Sequence, residues 1–234
     1  MNQIVELKQA EAESWSAEQL MGWTAEQFGA GARLPSSFGA EDMVLLDMAS
    51  RLGSPFPVFT LDTDFLFPET YELIAAAESR YGINVERAHP ALTPEQQVSQ
   101  FGAALWENDS DRCCEIRKIL PLREQLKSAA AWITGIRREQ SPARAQARKL
   151  EWDTKFGLVK LNPLADWRAA QVWEYIRRHN VPYNPLHDRN FPSIGCTHCT
   201  RAVLPGEDAR AGRWAGSTKT ECGLHLAETD GIRE

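Results

Sequence analysis

The sequence predicts an α/β protein built on a doubly wound, mostly parallel sheet with helices on both faces. Short runs rich in branched and aromatic residues alternate with amphipathic stretches of ~10–15 residues, the rhythm of βαβ units. Several runs end at Ser, Gly or Asp, residues that turn a chain out of a strand. Beyond Val181 the pattern dissolves into loops rich in Pro, Gly and Arg.

The first thirty residues read as two helices. The second, over 17–28, carries Leu20, Met21, Trp23 and Phe28 on one side. Ser16 stands at its N-cap with Gln19 completing a capping box, and Trp15 is placed to staple onto Leu20. Residues 34–38 form a short strand ending in a Ser/Gly turn, followed by an amphipathic helix over 41–52. Residues 57–61 (PVFTL) read as a buried strand ending at Asp62. A helix over 68–81 starts with Pro in its first turn and closes at Gly82. Strands follow at 83–87, 131–135 and 158–161. A last helix over 165–179 turns Trp167, Val172, Trp173 and Ile176 inward. In such sheets ligands bind beyond the carboxyl ends of the strands, where Ser36, Asp62 and Gly135 fall.

Composition narrows the function. The 234 residues suit one large domain, or one domain with a tail. A net charge of −6 argues against a nucleic-acid partner. No apolar run approaches the ~20 residues of a membrane span. The N-terminus lacks the basic start and apolar stretch of a secretory signal, so a cytoplasmic protein is expected. Basic residues nevertheless cluster locally: Arg137, Arg138, Arg144 and Arg148 in one stretch, Arg201, Arg210, Arg213 and Lys219 in another. Such clusters suit a small anionic ligand, or are solvated faces balanced by nearby acids.

Five cysteines divide into four and one. Cys113-Cys114 lie in DRCCEIRK, Cys196 and Cys199 in GCTHCT, and Cys222 alone in GSTKTECGLH. Four soft thiolates can close a sulfur shell around zinc or around an iron–sulfur cluster. Adjacent side chains on a helix diverge by ~100°. They would strain to meet at one small ion, which favours a larger cluster with separated irons. Lys118 lies on the cysteine face of that segment and could face a bound anion, whereas Arg117 reads as an ordinary exposed base. Cys222 has Lys219 and His225 near it in sequence and glycines on either side. A thiol flanked by bases gains thiolate character, the form that attacks, although a tail cysteine can also be incidental. Ser36, Ser37 and Gly39 precede a helix and could cradle an anion with backbone N–H groups, although a Ser cap there is commonplace.

These motifs together resemble the assimilatory adenylyl-sulfate (APS) reductases of bacterial type, within the sulfonucleotide reductase and PP-loop nucleotide-binding group. The likeness rests on SSFGAED, TLDTDFLFPETYEL, CCEIRK, ITGIRREQSPAR, LVKLNPLADW, VPYNPLHDRNFPSIGCTHCT, GEDARAGRWAG and KTECGLH. It implies a PP-loop, Rossmann-like fold in which Cys113, Cys114, Cys196 and Cys199 hold a [4Fe–4S] cluster, with Lys118 between cluster and substrate. It further implies that Ser36, Ser37, Leu61 and Gly135 hold the nucleotide, and that Arg144, Arg210, Arg213 and His225 bind its phosphate–sulfate portion. Cys222 would attack the sulfate sulfur, releasing AMP, and thioredoxin or a glutaredoxin would then free sulfite. The organisation implied is residues 1–30 as helices packed on the core, 31–205 as the nucleotide- and cluster-binding domain, and 206–234 as a mobile tail carrying the catalytic cysteine. A homo-oligomer is also expected.

Two departures stand out. PP-loop pyrophosphatases read Ser-Gly-Gly-x-Asp-Ser where this chain has SSFGAED, which speaks against ATP cleavage. Family members often carry Gly after the Leu-Asp-Thr of the second motif, where Asp64 stands here, and Asp64 is expected to point outward. The competing readings are a reductase acting on the 3′-phosphorylated nucleotide (PAPS), a dual activity, and a metal-stabilised nucleotide-binding module without turnover. The four cysteines favour APS over PAPS.

Overall fold

The computed structural model describes residues 2–215, 219, 221, 223 and 224. Its strands are β1 (Ala32–Pro35), β2 (Val58–Leu61), β3 (Val85–Ala88), β4 (Ala131–Ile133), β5 (Leu150–Asp153) and β6 (Leu158–Leu161). They form one sheet in the order β3-β2-β1-β4-β6-β5. All neighbours pair in parallel except β5, which runs antiparallel to β6. Strands covered on both faces carry apolar side chains in both directions, and every residue of β4 and β6 is buried. The doubly wound, mostly parallel sheet is therefore the one expected.

Strand β5 is absent from the sequence-based reading. Leu-Glu-Trp-Asp is short and half acidic, and resembles a loop. It becomes an edge strand because a tight turn folds it back onto β6, with Gly157 N–H donating to the Asp153 carbonyl at 2.8 Å. Gly157 adopts φ 68°, a left-handed conformation that glycine takes without strain. Its acid is neutralised across the pair: Glu151 receives Lys160 at 3.1 Å.

The helices are α1 (Asn2–Ala12), α2 (Ala17–Phe28), α3 (Ala40–Arg51), α4 (Pro68–Tyr81), α5 (Pro94–Phe101), α6 (Leu105–Asn108), α7 (Ser110–Cys114), α8 (Leu120–Leu126) and α9 (Ala169–His179). The capping box of α2 forms as read, with Gln19 N–H on Ser16 Oγ at 3.1 Å and the reciprocal bond at 2.7 Å. Trp15 rests against the Trp23 ring, 5.4 Å between centroids. Helix α1 packs beside β5. Helix α9 begins at Ala169, later than expected. The backbone first closes turns from Ala165 onto Asn162 and from Trp167 onto Leu164, and Arg168 then caps the helix. Val172 and Ile176 are buried as expected, whereas Trp167 and Trp173 are half-buried.

Apolar side chains fill both faces of the sheet. Leu20, Leu34, Met43, Leu45, Ile74, Ile133 and Val159 form one cluster; Phe59, Leu122, Leu126, Trp132 and Leu158 form the other. Each large side chain so buried contributes roughly 1.5–3 kcal/mol. One polar network crosses the first layer. The buried Asp47 on α3 accepts the Tyr175 hydroxyl of α9 at 3.0 Å, the Tyr81 hydroxyl of α4 at 3.3 Å and Arg51 Nε at 2.5 Å. It thus ties three helices together through one carboxylate. Burial, then the Asp47 charge, pushes the Tyr81 hydroxyl up to about 12.

Replacing Asp47 by Ala leaves two tyrosine hydroxyls without their acceptor. We expect a loss of about 1–3 kcal/mol, read as a lower urea midpoint at unchanged m-value, and a smaller loss for Asp47→Asn.

Candidate active site

Strand β1 lies between β2 and β4, so the chain winds outward from it on one side and then on the other. The crevice beyond the carboxyl ends of β1 and β4 is where such sheets bind ligands. Ser36 N–H extends the ladder onto the Phe59 carbonyl at 2.8 Å, and the buried Ser36 hydroxyl accepts Phe38 N–H at 3.1 Å. Ser37 gives both its N–H (2.6 Å) and its hydroxyl (2.7 Å) to Asp42 Oδ2 in the first turn of α3. Burial pushes the Asp42 carboxyl up to about 6 despite these bonds. Gly135, just past β4, is there for space: a Cβ at that position would lie 2.6 Å from Asp42 Oδ1 and 2.9 Å from Glu41 Cβ. Ser36, Ser37, Leu61 and Gly135 thus share the carboxyl edge of three adjacent strands.

The four paired cysteines converge beside this edge. Cys113 and Cys114 end α7, and the next turn, Glu115–Ile119, is a π-helix. A π-turn inserts an extra residue into the helical ladder, a distortion frequent at functional sites. The loop bearing Cys196 and Cys199 is pinned by Thr197 N–H on the Phe65 carbonyl at 2.8 Å, and Thr63 Oγ1 meets Cys196 Sγ at 3.3 Å. Burial, followed by the neighbouring charges of Cys114, Cys196 and Cys199, pushes the Cys113 thiol up to about 11. Burial and Cys196 do the same for Cys199. Such mutual influence places the four sulfurs within electrostatic range of one another. Among the described residues, no three of these sulfurs lie within 4.8 Å of one another, whereas a tetrahedral zinc would draw them to about 3.8 Å. Asp62, Asp64 and His89 do come that close, a buried and an exposed carboxylate engaged by Tyr71 and Arg117 respectively.

Cations and N–H donors ring the sulfurs. Although burial opposes charge, Lys118, the Thr63 hydroxyl and Arg213 hold the Cys196 thiol below its ordinary value. Lys219 reaches Cys114 from the tail segment. Arg117 is almost wholly buried, correcting its reading as a surface base. It spans Gln97 (2.8 Å), the Thr63 carbonyl (3.0 Å) and Asp64 (2.9 Å), and stacks on Phe65. Its Nη2, with Arg213 Nε and Trp214 Nε1, is buried with no hydrogen-bond acceptor among the described residues. Orphaned donors are costly; an anionic sulfur-bound group in this space would give them partners. Phe65, Trp106 and His198 form an aromatic wall, the last two stacked at 3.8 Å.

A second anion site lies alongside. Arg144 offers Nε and Nη2 at 2.9 and 2.8 Å, Arg210 offers Nη2 at 3.1 Å and Ser141 its hydroxyl at 2.9 Å, all to the Glu221 carboxylate. Arg213 stands apart from this pair. Its guanidinium lies against Gly195, where any Cβ would collide with it, and bonds Ser193 at 3.1 Å. Of the basic stretch 137–148, Arg137 pairs with Glu41, Arg138 with Glu13 and Arg148 with Gln9, which leaves Arg144 for the site. Cys222 and His225 lie outside the described residues.

Sequence reasoning missed Thr63, Ser141 and Glu221 and misread Arg117. Glu221 carried a signal in its place directly before Cys222, and Arg117 in its place three residues past Cys114.

The fold and these groups have known counterparts. Residues 32–202 match the phosphoadenosine phosphosulfate reductase domain. Adenosine 5′-phosphosulfate reductase of Shouchella clausii is 49% identical over 88% of this chain and 86% of its own length. That of Halalkalibacterium halodurans is 47% identical over 87% and 88%. The phosphoadenylyl-sulfate reductase of Candida auris, solved as a phosphate complex, superposes with a TM-score of 0.75 at 28% identity, covering 87% of this chain and 98% of its own. FMN adenylyltransferase of Candida glabrata, at 15% identity and a TM-score of 0.56 over 82% of this chain and 63% of its own, shares the fold. The domain match and these relatives define an oxidoreductase acting on sulfur. The chain belongs to the sulfonucleotide reductases, the phosphoadenosine phosphosulfate reductase family.

The Asp42 carboxyl yields a pH test. Folded, it keeps its proton to about pH 6, whereas its ordinary value is 3.8. The native state therefore binds the extra proton, and stability falls as pH rises through that window. Asp42→Asn should flatten this fall, so urea midpoints at pH 4 and pH 7 draw closer than in the wild type. Gly135→Ala should lower stability at both pH values.

Proposed function

We propose that the chain reduces adenylyl sulfate to sulfite and AMP in sulfate assimilation, with Cys222 as nucleophile and thioredoxin or a glutaredoxin as reductant. The observation that carries this reading is the convergence of four thiols and their cations beside an arginine-lined anion site, at the carboxyl edge of a nucleotide-type sheet. The relatives at 47–49% identity are named for adenosine 5′-phosphosulfate, which supports APS over its 3′-phosphorylated form.

Cys113, Cys114, Cys196 and Cys199 would hold a [4Fe–4S] cluster, whose charged sulfurs would give the orphaned Arg117, Arg213 and Trp214 donors partners. Bound there, it would supply a buried charged surface beside the sulfate. The adenosine would lie along Ser36, Ser37, Leu61 and Gly135. Arg144 and Arg210, with Arg213 and Lys118 toward the thiol side and His225 on the tail, would neutralise phosphate and sulfate oxygens. That neutralisation is needed because a thiolate attacking sulfate brings two anions together. The Cys222 sulfur forms a bond to the sulfate sulfur as its bond to the phosphate oxygen breaks, and AMP leaves. A reductant thiolate then attacks Cys222 Sγ, sulfite departs with the electron pair of the S–S bond, and the second reductant thiol resolves the mixed disulfide. The four unpaired cysteines and this thiol exchange suit a reducing cytoplasm.

The protein incubated with APS alone should gain the mass of one sulfonate on Cys222. Cys222→Ser should abolish sulfite release while retaining iron and nucleotide binding; normal turnover by that variant would refute the mechanism. Cys196→Ser should lose bound iron and brown colour.

A further inference from the structure

The anion site already contains an anion, supplied by the chain itself. Glu221 is buried, and its carboxylate takes the Arg144 fork, Arg210 and the Ser141 hydroxyl. Burial works against its charge, but Arg144, Arg210 and Ser141 hold it below its ordinary value. A carboxylate engaged two-pronged by a guanidinium presents the same donors with the oxygen pattern that a phosphate or sulfate would present. Arg144 has no second fork to give.

The segment around Glu221 is anchored on either side. Lys219 Nζ donates to the Ser110 carbonyl and to Asp111, each at 2.8 Å, on helix α7. Lys155 Nζ donates to the Gly223 carbonyl at 2.7 Å, and Leu224 packs beside the Phe59 and Leu122 cluster. Glu221 is the anchor that shares its partners with the expected substrate. Cys222 follows it directly in sequence.

We propose that Glu221 is an internal competitor for the phosphosulfate group, so that substrate enters by exchange and frees the segment that carries Cys222. The inference rests on the functional reading above and adds to it a residue that sets substrate affinity. Two consequences follow physically. An anchored carboxylate competes at a fixed effective concentration, so the observed affinity for substrate is its intrinsic affinity reduced by the fraction of molecules with the site open. Seating the substrate also breaks the Glu221 contacts, which couples nucleotide binding to release of the nucleophile's segment.

The test measures APS binding by calorimetry in the Cys222→Ser protein, where no adduct forms, with and without Glu221→Gln. Removing the competitor's charge should lower the dissociation constant by ~3- to 10-fold. An equal or weaker affinity would overturn the proposal, because a carboxylate that merely supports the site loses binding when removed. A second readout covers altered folding. Trypsin cleavage after Lys219 should accelerate when APS is added to Cys222→Ser, and should already be fast without APS in the Glu221→Gln double variant. Unchanged or slower cleavage with APS overturns the exchange. If Cys222→Ser binds no APS at all, the functional reading itself falls, and this inference with it.

Discussion

Four thiols lie near one another with little water around them, so ionising any one is opposed by burial and by a neighbour already ionised, and much of the surrounding structure answers that cost. Unaided, burial and neighbouring sulfurs hold Cys113 and Cys199 protonated to about pH 11. Lys118, Arg213 and the Thr63 hydroxyl pull Cys196 the other way. Each of these groups needs its own support. The π-turn after Cys114 carries Arg117 and Lys118, Gly195 admits the Arg213 guanidinium, and the Thr200–Arg213 bridge holds that loop to the cysteine segment. Removing one cation would therefore disturb thiol ionisation before it disturbed the sheet.

The sulfur pocket and the arginine site share the tail segment. Lys219 reaches toward Cys114 while Glu221, two residues on, lies between Arg144 and Arg210. Opposite charges two residues apart thus meet opposite partners: Lys219 the Cys114 and Asp111 side, Glu221 the arginines. That arrangement fixes the direction of the segment more tightly than either ion pair alone, since reversing it would place Lys219 among arginines.

The sheet was legible because its strands bury both faces and so keep apolar runs that survive any register, as in PVFTL and AWITG. Strand β5 was not, because its pairing depends on a turn and on Lys160 neutralising Glu151 across the edge. The nearness of the four paired cysteines was suggested by their spacing, since two such pairs in one chain invite a shared site. Arg117 was not: nothing local distinguishes a base that will be buried by Gln97 and Phe65, far off in sequence, from one left in water. Glu221 was hidden for a similar reason, its partners lying some eighty residues earlier at Ser141 and Arg144.

Asp64 shows how one substitution can be read twice. A carboxylate next to an anion site is unfavourable, and the chain does place this residue at the surface, as expected. Its backbone sits at φ 59°, the left-handed region that glycine tolerates best and Asp tolerates better than most. Here the side chain also bends back to Arg117, whose guanidinium is otherwise a buried cation with one nitrogen unpaired among the described residues. The pair cancels a charge on each side, so the acid that looks misplaced in the sequence offsets a base the sequence did not reveal as buried.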